Sequence, residues 1–371
     1  MIYPTKKVSE CIERLPKKSG IPRNRYANSG AFPIIDQGLD FIGGYTDDKS
    51  KAYQDGLPII IFGDHTRALK FVEVPFAVGA DGTQVLKPKD FLDPRYFYLA
   101  LLSIDIKSRG YARHFSILKE MEIPLPPIVE QRKIVARLEK VLGKVKEAKR
   151  LRAEAEALSA SLLPAELHKI FSSCQSNLVP VGDLCDIKGG KRVPKGHVLK
   201  NEPTTHPYIR VADFMPYGVD QSNLKYVDDK TFKFISRYTI GKNDVFISIA
   251  GTIGSTGIIP ENLDGANLTE NAAKLTNLKG VDQRYLMYML TTKQVKDQIF
   301  AEAIHTTISK LGLFRIARLK IPLPSLAEQK RIVARLDTLL AKVRDLRTAQ
   351  SQTAQDLISL ERSVLHKAFT S

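Results

Sequence analysis

One stretch occurs twice in the chain, as IPLPPIVEQRKIVARL at Ile123–Leu138 and as IPLPSLAEQKRIVARL at Ile321–Leu336. The offset between the copies is 321 − 123 = 198 residues. The same offset relates Leu167-His168-Lys169 to Leu365-His366-Lys367, so the repeat continues without a gap well beyond the quoted stretch. A duplication of this length indicates two tandem halves built on one design.

Each copy predicts an extended segment that leads into a long helix. Alternating prolines exclude a helix over the first four residues, and the glutamate of the E-Q pair suits a first helical turn. Apolar residues then recur at a mean spacing of (162 − 138)/7, or about 3.4 residues, which is close to a coiled-coil seam. In the first copy these residues are Leu138, Leu142, Val145, Ala148, Leu151, Ala155, Leu158 and Leu162. Pro164 predicts a kink or break, and the polar stretch Arg347–Asp356 predicts weaker packing in the second helix.

A helix of about 40 residues is roughly 60 Å long and cannot bury its apolar stripe alone. Two such helices with matching stripes can bury each other, and the long segment between them lets the chain fold back. We therefore expect an antiparallel pair that acts as a spacer between two globular pieces. Exposed bundle helices with no further role are the alternative.

The chain has 371 residues and a formal net charge of +16, which is spread along its length. A folded, diffusely basic protein favours a polyanionic partner, most often nucleic acid, although a soluble basic protein of another kind has the same composition. Three cysteines without a C-x-x-C pair argue against a disulfide framework. The start of the chain has no apolar leader region and no apolar run reaches transmembrane length, so the sequence predicts a cytoplasmic protein.

The segments before the two helices, 1–125 and 176–323, share an order of short strand-like runs and one helix. That helix begins at Asp93-Pro94-Arg95-Tyr96 in the first segment and at Asp282-Gln283-Arg284-Tyr285 in the second, an offset of 189. Because the later offset is 198, about nine extra residues fall in the second segment, around His305–Leu313. The pattern predicts a common scaffold with different loops.

Signatures of catalysis are missing from the sequence. There is no G-x-x-x-x-G-K-[ST] motif, and Gly251, Gly254 and Gly257 are spaced three apart rather than as G-x-G-x-x-G. Asp93-Pro94-Arg95-Tyr96 lacks the second proline of the D-P-P-Y methyltransferase motif and is typical of a helix start. The seven histidines show no metal-ligand spacing. We expect a chain without catalytic residues, metal or cofactor.

Two variable units that are each followed by I-P-L-P-x-x-x-E-Q-x-x-I-V-x-x-L and a long helix resemble the specificity subunit of type I restriction-modification systems. The segments Ile34–Gly38, Ile42–Thr46 and Ile247–Gly254 are also similar to target-recognition domains of that family. The resemblance covers essentially the whole chain.

The resemblance implies an α+β fold with a pseudo-two-fold internal repeat. Target-recognition domains occupy 1–125 and 176–323, and each reads one half of a split double-stranded DNA target. The helices at 126–175 and 324–371 pack as an antiparallel coiled coil, set the unread spacer and dock the methyltransferase (M) subunits. S-adenosylmethionine would be bound by the methyltransferase subunits, and ATP and Mg would be used by restriction (R) subunits. Rival readings are a DNA-binding adaptor of another defence or modification system and a DNA-modifying enzyme in its own right.

Polar and basic side chains in the loops are the candidates for DNA contact, because lysine and arginine suit phosphates or guanine edges and asparagine and glutamine suit adenine edges. In the first unit they are Gln37, Tyr45, His65, Arg67, Lys107, Arg109 and Arg113. In the second unit they are Lys191, Arg192, Lys195, Arg210, Thr252, Ser255, Asn267, Asn271, His305 and Lys310. Any one of them could instead be a solvated loop residue, and Asn267 and Asn271 could be turn residues.

Overall fold

The structure is a computed structural model that describes residues 3–13, 15–16, 18–107, 110, 112–174, 176–301 and 310–370. The chain folds into two compact units. Unit 1 comprises residues 1–154 and 350–371, and unit 2 comprises residues 155–349. These units cut across the four predicted segments, because each long helix contributes one part to each unit.

The described strands of unit 1 pair into two four-stranded sheets and a two-stranded ribbon. They are β1 Thr5–Lys7, β2 Ile12–Glu13, β3 Phe32–Ile35, β4 Gly44–Thr46, β5 Ala52–Tyr53, β6 Ile59–Gly63, β7 Leu69–Val72, β8 Phe76–Val78, β9 Thr83–Pro88 and β10 Glu122–Pro124. One sheet has the order β2-β9-β6-β7, the other has the order β4-β3-β8-β5, and β1 pairs with β10. Strands β3 and β8 run parallel, whereas the other pairs are antiparallel.

The helices that begin in unit 1 are α1 Val8–Cys11, α2 Pro94–Ser103, α3 Phe115–Leu118 and α4 Ile128–Ser173, with 3₁₀ turns at Arg23–Arg25 and Lys49–Lys51. Strand β6 lies in the middle of its sheet, and all five of its residues are buried, as its run of three isoleucines and a phenylalanine requires. Its Ile60 and Phe62 pack in one core with Tyr96 and Phe97 of α2. The sheet and α2 thus form the main core of this unit.

Unit 2 repeats this order. Its strands are β11 Leu178–Pro180, β12 Asp186–Gly189, β13 His206–Ile209, β14 Phe214–Met215, β15 Gly218–Val219, β16 Lys225–Val227, β17 Thr239–Ile240, β18 Val245–Ser248, β19 Thr256–Ile258, β20 Ala266–Leu268, β21 Ala272–Thr276 and β22 Lys320–Pro322. Its sheets have the orders β12-β21-β18-β19 and β16-β13-β20-β17, with β11 paired to β22 and an added β14-β15 hairpin. Among the described strand pairs of unit 2, β13 and β20 alone run parallel, as β3 and β8 do in unit 1.

The helices that begin in this part of the chain are α5 Val181–Leu184, α6 Asp229–Ile235, α7 Gln283–Leu290, α8 Lys293–Ala301, α9 Leu313–Arg318 and α10 Leu326–Thr370, with 3₁₀ turns at Val211–Asp213 and Glu261–Leu263. Equal strand order, equal strand direction and the same helix after the last sheet strand confirm the predicted internal repeat. None of the described helices is both long and apolar enough to cross a bilayer.

The two predicted long helices are present as α4 and α10, and their paired parts run antiparallel. In unit 1, Leu138 of α4 lies in one core cluster with Leu365 and Phe369 of α10. Further along α4, Arg152 Nε donates to Gln350 O at 2.5 Å. The partner number in α10 falls as the number in α4 rises, which is the signature of an antiparallel pair.

Unit 2 contains the equivalent pairing from the other ends of the same helices. Leu163 and Leu167 of α4 share a core cluster with Leu336 and Leu340 of α10. Helix α4 continues through Pro164 to Ser173, so the predicted interruption does not end the helix. Proline removes one backbone hydrogen bond. Here its ring lies on the exposed side of α4, while the buried leucines on either side keep the helix packed.

A buried glutamine explains the E-Q pair of the repeated stretch. Gln131 is fully buried at the start of α4. Its Oε1 accepts from Asp93 N at 2.8 Å, and its Nε2 donates to Phe91 O at 3.0 Å and to Pro126 O at 2.9 Å. The side chain therefore joins the first turn of α4 to the start of α2. We call this residue and its counterpart in unit 2 the latch glutamines.

The counterpart is Gln329, which is also fully buried. Its Oε1 accepts from Asp282 N at 2.7 Å, and its Nε2 donates to Gly280 O at 3.1 Å and to Pro324 O at 2.9 Å. Each latch supplies hydrogen-bond partners to three backbone groups at a largely buried corner.

The same corner explains the aspartate that begins α2 and α7. Asp93 Oδ1 caps α2 by accepting from Arg95 N and Tyr96 N, each at 3.0 Å, and Asp282 caps α7 in the same way. The Tyr96 hydroxyl donates to Pro124 O at 2.9 Å, inside the repeated stretch. The predicted helix start at Asp93 is confirmed, and this aspartate serves as a cap.

Candidate nucleic-acid interface

In unit 1, the loop after β3 and the turn after β6 lie against each other. Gln37, on the first of these segments, accepts at Oε1 from His65 N at 3.3 Å. Its main-chain oxygen accepts from the Thr66 hydroxyl. Two predicted candidates that are 28 residues apart in sequence are therefore neighbours.

The basic segment 107–113 is attached to the same turn at both of its flanks. Arg67 Nη1 donates to Ile106 O at 2.7 Å, just before the segment. Asp64 O accepts from His114 N at 2.9 Å, just after it. Lys107 and Arg113 are exposed. Arg109 lies outside the described residues.

Arg67 adopts a left-handed backbone conformation, with φ of 62°. Residues other than glycine, asparagine and aspartate rarely occupy this region, and such strain concentrates at functional sites. The side chain is exposed beyond its one hydrogen bond. The exposed side chain and the strained backbone both indicate that this turn belongs to the candidate site.

A buried lysine that sequence reasoning missed fixes the loop after β3. Lys70 is 4% exposed, and its Nζ donates to Asp36 O at 2.8 Å and to Asp40 O at 2.5 Å. Burial lowers the pKa of Lys70, and the charge of Asp36 opposes this shift. Desolvating an ammonium is costly unless it is paired, so the loop shape is strongly specified. The tip of this loop exposes Leu39 and Phe41.

Tyr45 lies on β4, beside the loop that follows β2. Its N donates to Ala27 O at 2.9 Å, and its O accepts from Ala27 N at 3.0 Å. This pairing brings exposed Arg23 and Arg25 next to β4. We call the loop 36–43, the turn 63–67 and the flanks of 107–113 the unit 1 edge, and Tyr45 lies on the strand beside it.

Unit 2 brings the equivalent segments together at the end of β18. Ile249 N donates to Asn271 O at 2.8 Å, and Leu311 N donates to Ile249 O at 2.7 Å. The second bond corresponds to that between His114 and Asp64 in unit 1. Leu311 and His114 therefore bond to equivalent positions at the end of the central strand of their own unit. His305 lies outside the described residues.

The loop after β18 is held by Ser248, whose hydroxyl donates to Thr252 O and accepts from Ser255 N at 2.8 Å. The Thr252 side chain is exposed, and Ser255 is half-buried. The side chain of Asn271 is also half-buried.

The loop after β12 lies against the turn 269–271, which follows β20. Lys191 N donates to Leu268 O at 2.9 Å, and Arg192 Nε donates to Glu270 Oε1 at 2.6 Å. Lys310 Nζ donates to Glu270 O at 2.7 Å, while Lys195 is exposed. We call the loop 190–196, the turn 249–255, the turn 269–271 and Lys310 the unit 2 edge.

The carboxyl of Glu270 has a pKa below its usual value. Burial raises the pKa, but hydrogen bonds from Arg192 and Thr269 outweigh that effect. The carboxylate is therefore charged, and the pKa of the Arg192 guanidinium beside it is raised by the same hydrogen bond.

Of the predicted candidates, Asn267 has a structural role instead, and Arg210 makes local structural contacts. Asn267 is buried within β20, where Nδ2 donates to Ile235 O at 2.9 Å, so it holds the end of α6 and does not face solvent. Arg210 donates through Nε to Asp213 Oδ2 at 3.0 Å and through Nη2 to Asn223 O at 2.9 Å. Its guanidinium thereby braces the 3₁₀ turn that follows β13.

The sequence model of the type I restriction modification DNA specificity domain matches residues 5–157 and 175–354. The chain belongs to this family. The EcoBI specificity subunit of Escherichia coli is 23% identical over 313 residues, which are 76% of this chain and 66% of that protein. The EcoR124I/EcoR124II specificity subunit of the same species is 24% identical over 343 residues, 87% of this chain and 82% of that protein.

Solved structures of this specificity family share the fold. A chain from work on complex assembly and conformational transition of a type I R-M system superposes with a TM-score of 0.75 at 23% identity, covering 99% of this chain and 97% of that one. The HsdS subunit from Thermoanaerobacter tengcongensis superposes with a TM-score of 0.54 at 24% identity, covering 99% and 96%. This chain therefore has the architecture of its family, with two tandem units and paired long helices.

Sequence reasoning missed an aromatic and basic surface of unit 2 at the end of α6. Phe234 is 64% exposed and its ring meets His197 at 5.3 Å, and Lys191 Nζ lies 5.7 Å from the Tyr238 ring. Arg237, which lies between Phe234 and Tyr238 in the sequence, is also exposed. The signal was present in the run Lys230–Tyr238, which alternates aromatic and basic residues as nucleic-acid surfaces often do.

Proposed function

We propose that this chain is the DNA-recognition subunit of a type I restriction-modification complex, in which each unit reads one half of a bipartite duplex target. One observation carries the proposal. In each unit the same chain segments converge at the end of the central strand, β6 or β18, while the side chains that they present differ. A repeated scaffold with different exposed loops suits two different half-sites.

The chemistry of the two edges supports DNA as the partner. Exposed Lys107, Arg113 and Lys195 suit phosphate contacts, which provide much of the affinity and fix the register. His65 and Thr252 can donate or accept hydrogen bonds at base edges. Exposed Leu39 and Phe41 suit thymine methyl groups, which sequence-specific proteins contact through apolar side chains.

The long helices would set the distance between the half-sites and dock the methyltransferase subunits. Both helices are continuous through the two units, and apolar side chains remain exposed along them. These side chains are Leu151, Leu158, Leu162, Leu346, Ile358 and Leu360. The chain itself would be non-catalytic and act in the cytoplasm, with S-adenosylmethionine, ATP and Mg bound by the methyltransferase and restriction subunits.

Methylome sequencing tests the recognition role. Cells that express the cognate methyltransferase subunits are compared with and without this chain. The proposal expects a bipartite methylated motif that appears only when the chain is present. A stable complex that yields no new motif would favour an adaptor of another system, and methylation or cleavage of DNA by the isolated chain would establish an enzyme.

The spacer role is tested by removing one heptad from each helix. Residues 151–157 and 346–352 are a matched pair for this deletion, because a heptad preserves the coiled-coil face. At 1.5 Å per residue the deletion removes about 10 Å, so we expect a spacer about three base pairs shorter with both half-sites unchanged. Insertion of a heptad at the same places should lengthen it equally. Altered half-sites with an unchanged spacer would refute the spacer role.

A further inference from the structure

In unit 2 a carboxylate holds an exposed arginine from the side. Arg192 is 77% exposed, and its Nε donates to Glu270 Oε1 at 2.6 Å. The other carboxylate oxygen, Oε2, accepts from the Thr269 hydroxyl at 2.9 Å. Glu270 is only 21% exposed. Both of its oxygens are therefore engaged, and the carboxylate has little freedom to turn.

This contact leaves a defined part of the guanidinium available. Arginine presents five N–H donors in a rigid planar fork. Glu270 engages the Nε side, and the two Nη groups of Arg192 have no partner among the residues that the structure describes. Those two groups form the end-on pair of donors that matches O6 and N7 of guanine in the major groove.

The backbone on both sides of the contact is also fixed. Lys191 N donates to Leu268 O at 2.9 Å, and the Tyr208 hydroxyl donates to Lys191 O at 2.9 Å. Glu270 O accepts from Lys310 Nζ at 2.7 Å. Because less side-chain freedom is lost on binding, a pre-organised arginine binds with higher affinity and selectivity than a mobile one.

The described part of unit 1 has a proline at the place of this arginine. Ile21 N donates to Val78 O at the end of β8, as Lys191 N donates to Leu268 O at the end of β20. Pro22 therefore stands at the place of Arg192. The arginine and its carboxylate are a local property of unit 2, not part of the scaffold.

We infer that Arg192 reads a guanine in the half-site of unit 2 and that Glu270 is the positioning residue that presents its two Nη groups. The inference rests on the proposed function and names one base of its target. Glu270 acts through Arg192, because its side chain is only 21% exposed and each of its oxygens accepts a hydrogen bond within the protein.

The test uses the full chain in complex with its cognate methyltransferase subunits and measures affinity for the target duplex. Each guanine of the unit 2 half-site is replaced in turn by another base. Arg192→Ala should remove discrimination at one guanine only, by about 10- to 100-fold. Glu270→Gln should remove part of the discrimination at that same guanine. The double variant should be no worse than Arg192→Ala, because the two residues act as one unit.

A modified base separates this reading from other roles. Replacing that guanine by 7-deazaguanine removes the N7 acceptor, so it should weaken binding of the parent chain and leave the Arg192→Ala variant unaffected. Arg192→Lys should not restore discrimination, since an ammonium cannot donate bidentately. Lys195→Ala is the matched control from the same loop and should weaken binding to all DNA sequences equally. Equal thermal transition temperatures would show that the variants fold.

Two results would overturn the inference. The first is an Arg192→Ala variant that loses the same affinity for every DNA sequence and shows a shallower salt dependence. That result would identify a phosphate contact. The second is a Glu270→Gln effect that responds to N4-methylcytosine and not to 7-deazaguanine. A parent chain that selects no bipartite target contradicts the proposed function itself. A parent chain that selects one, with variants that keep the guanine preference, contradicts only this inference.

Discussion

Units 1 and 2 agree where they meet the long helices and differ where their loops converge. The latch glutamines, Gln131 and Gln329, make the same three hydrogen bonds to equivalent backbone groups. At the edges, unit 1 fixes a loop with buried Lys70, whereas unit 2 fixes exposed Arg192 with Glu270. The comparison shows that the scaffold is specified at one end of each unit and leaves the other end free to vary.

Removal of either latch glutamine should have the largest effect on stability. Gln131→Leu and Gln329→Leu would each leave three backbone groups without partners, so each should cost about 2–5 kcal/mol in the free energy of unfolding. Urea unfolding followed by hydrogen exchange of each unit measures the losses. Lys140→Ala and Thr338→Ala, at equivalent exposed positions of α4 and α10, are controls and should stay within about 0.5 kcal/mol. A large loss of unfolding free energy in one unit and none in the other would show that the two latch glutamines do not stabilise their units equally.

The second prediction concerns the edges. Arg67→Ala should weaken binding to duplexes through the unit 1 half-site alone, and Lys191→Ala through the unit 2 half-site alone. The expected loss is of order 1–3 kcal/mol if the side chain pairs bidentately with a base, and smaller for a phosphate contact. Fluorescence anisotropy over a salt series, with one half-site scrambled at a time, measures it. Lys144→Ala on α4 is the charge-matched control, and unchanged affinity and salt slope in both edge variants would remove these residues from the interface.

The ion pairs between α2 and α4 and between α7 and α10 should differ in strength. Arg95 Nε contacts Glu139 Oε1 at 2.8 Å in unit 1, and Arg284 Nη2 contacts Asp337 Oδ1 at 2.7 Å in unit 2. Only the second carboxylate also accepts from a tyrosine hydroxyl, that of Tyr288 at 2.7 Å. Double-mutant cycles should give a coupling of about 0.2–0.5 kcal/mol for the first pair, which is largely exposed, and more for the second. Equal coupling energies would mean that the Tyr288 hydroxyl does not strengthen the Arg284–Asp337 pair.

The smallest expected effect is on thiol reactivity. Burial raises the pKa of Cys11 to about 11 and that of Cys185 to about 12. A raised pKa lowers the thiolate fraction at pH 8, and the thiolate is the reactive form. Half-exposed Cys174 should therefore react first with a disulfide reagent, and the two buried thiols should follow only on unfolding. Mass spectrometry of labelled peptides measures the order, and early labelling of Cys185 would show that the unit 2 core opens readily.

Much of the scaffold could be predicted from the sequence. The duplicated stretch predicts both long helices within a few residues, and the expected short strand-like runs are present, among them Phe32–Ile35 and Phe76–Val78. Helix α6 was missed because it is short and its aromatic side chains are split between core and solvent. The strand pairs β3-β8 and β13-β20 are long-range and parallel, which no local pattern encodes.

The candidate site was predicted less well, because loop chemistry depends on partners far away in sequence. Asn267 lies between apolar neighbours in a buried strand, and that context was the missed signal. Arg210 and Asp213 are three residues apart, and this short spacing pointed to a local ion pair. Lys70 alternates with apolar residues like an exposed strand position, but carbonyls of residues 36 and 40 bury it. Only the folded chain supplies those carbonyls.

We expect each unit to read its own half-site on a common scaffold. The most direct measurement is methylome sequencing with a chain in which residues 181–321 are replaced by residues 8–123. Val8 and Val181 occupy equivalent places, as do Ile123 and Ile321, so the replacement keeps both latches and both helices. We predict that the methylated motif becomes symmetric, with the unit 1 half-site present twice in inverted orientation. A motif that still contains the original unit 2 half-site would contradict the account.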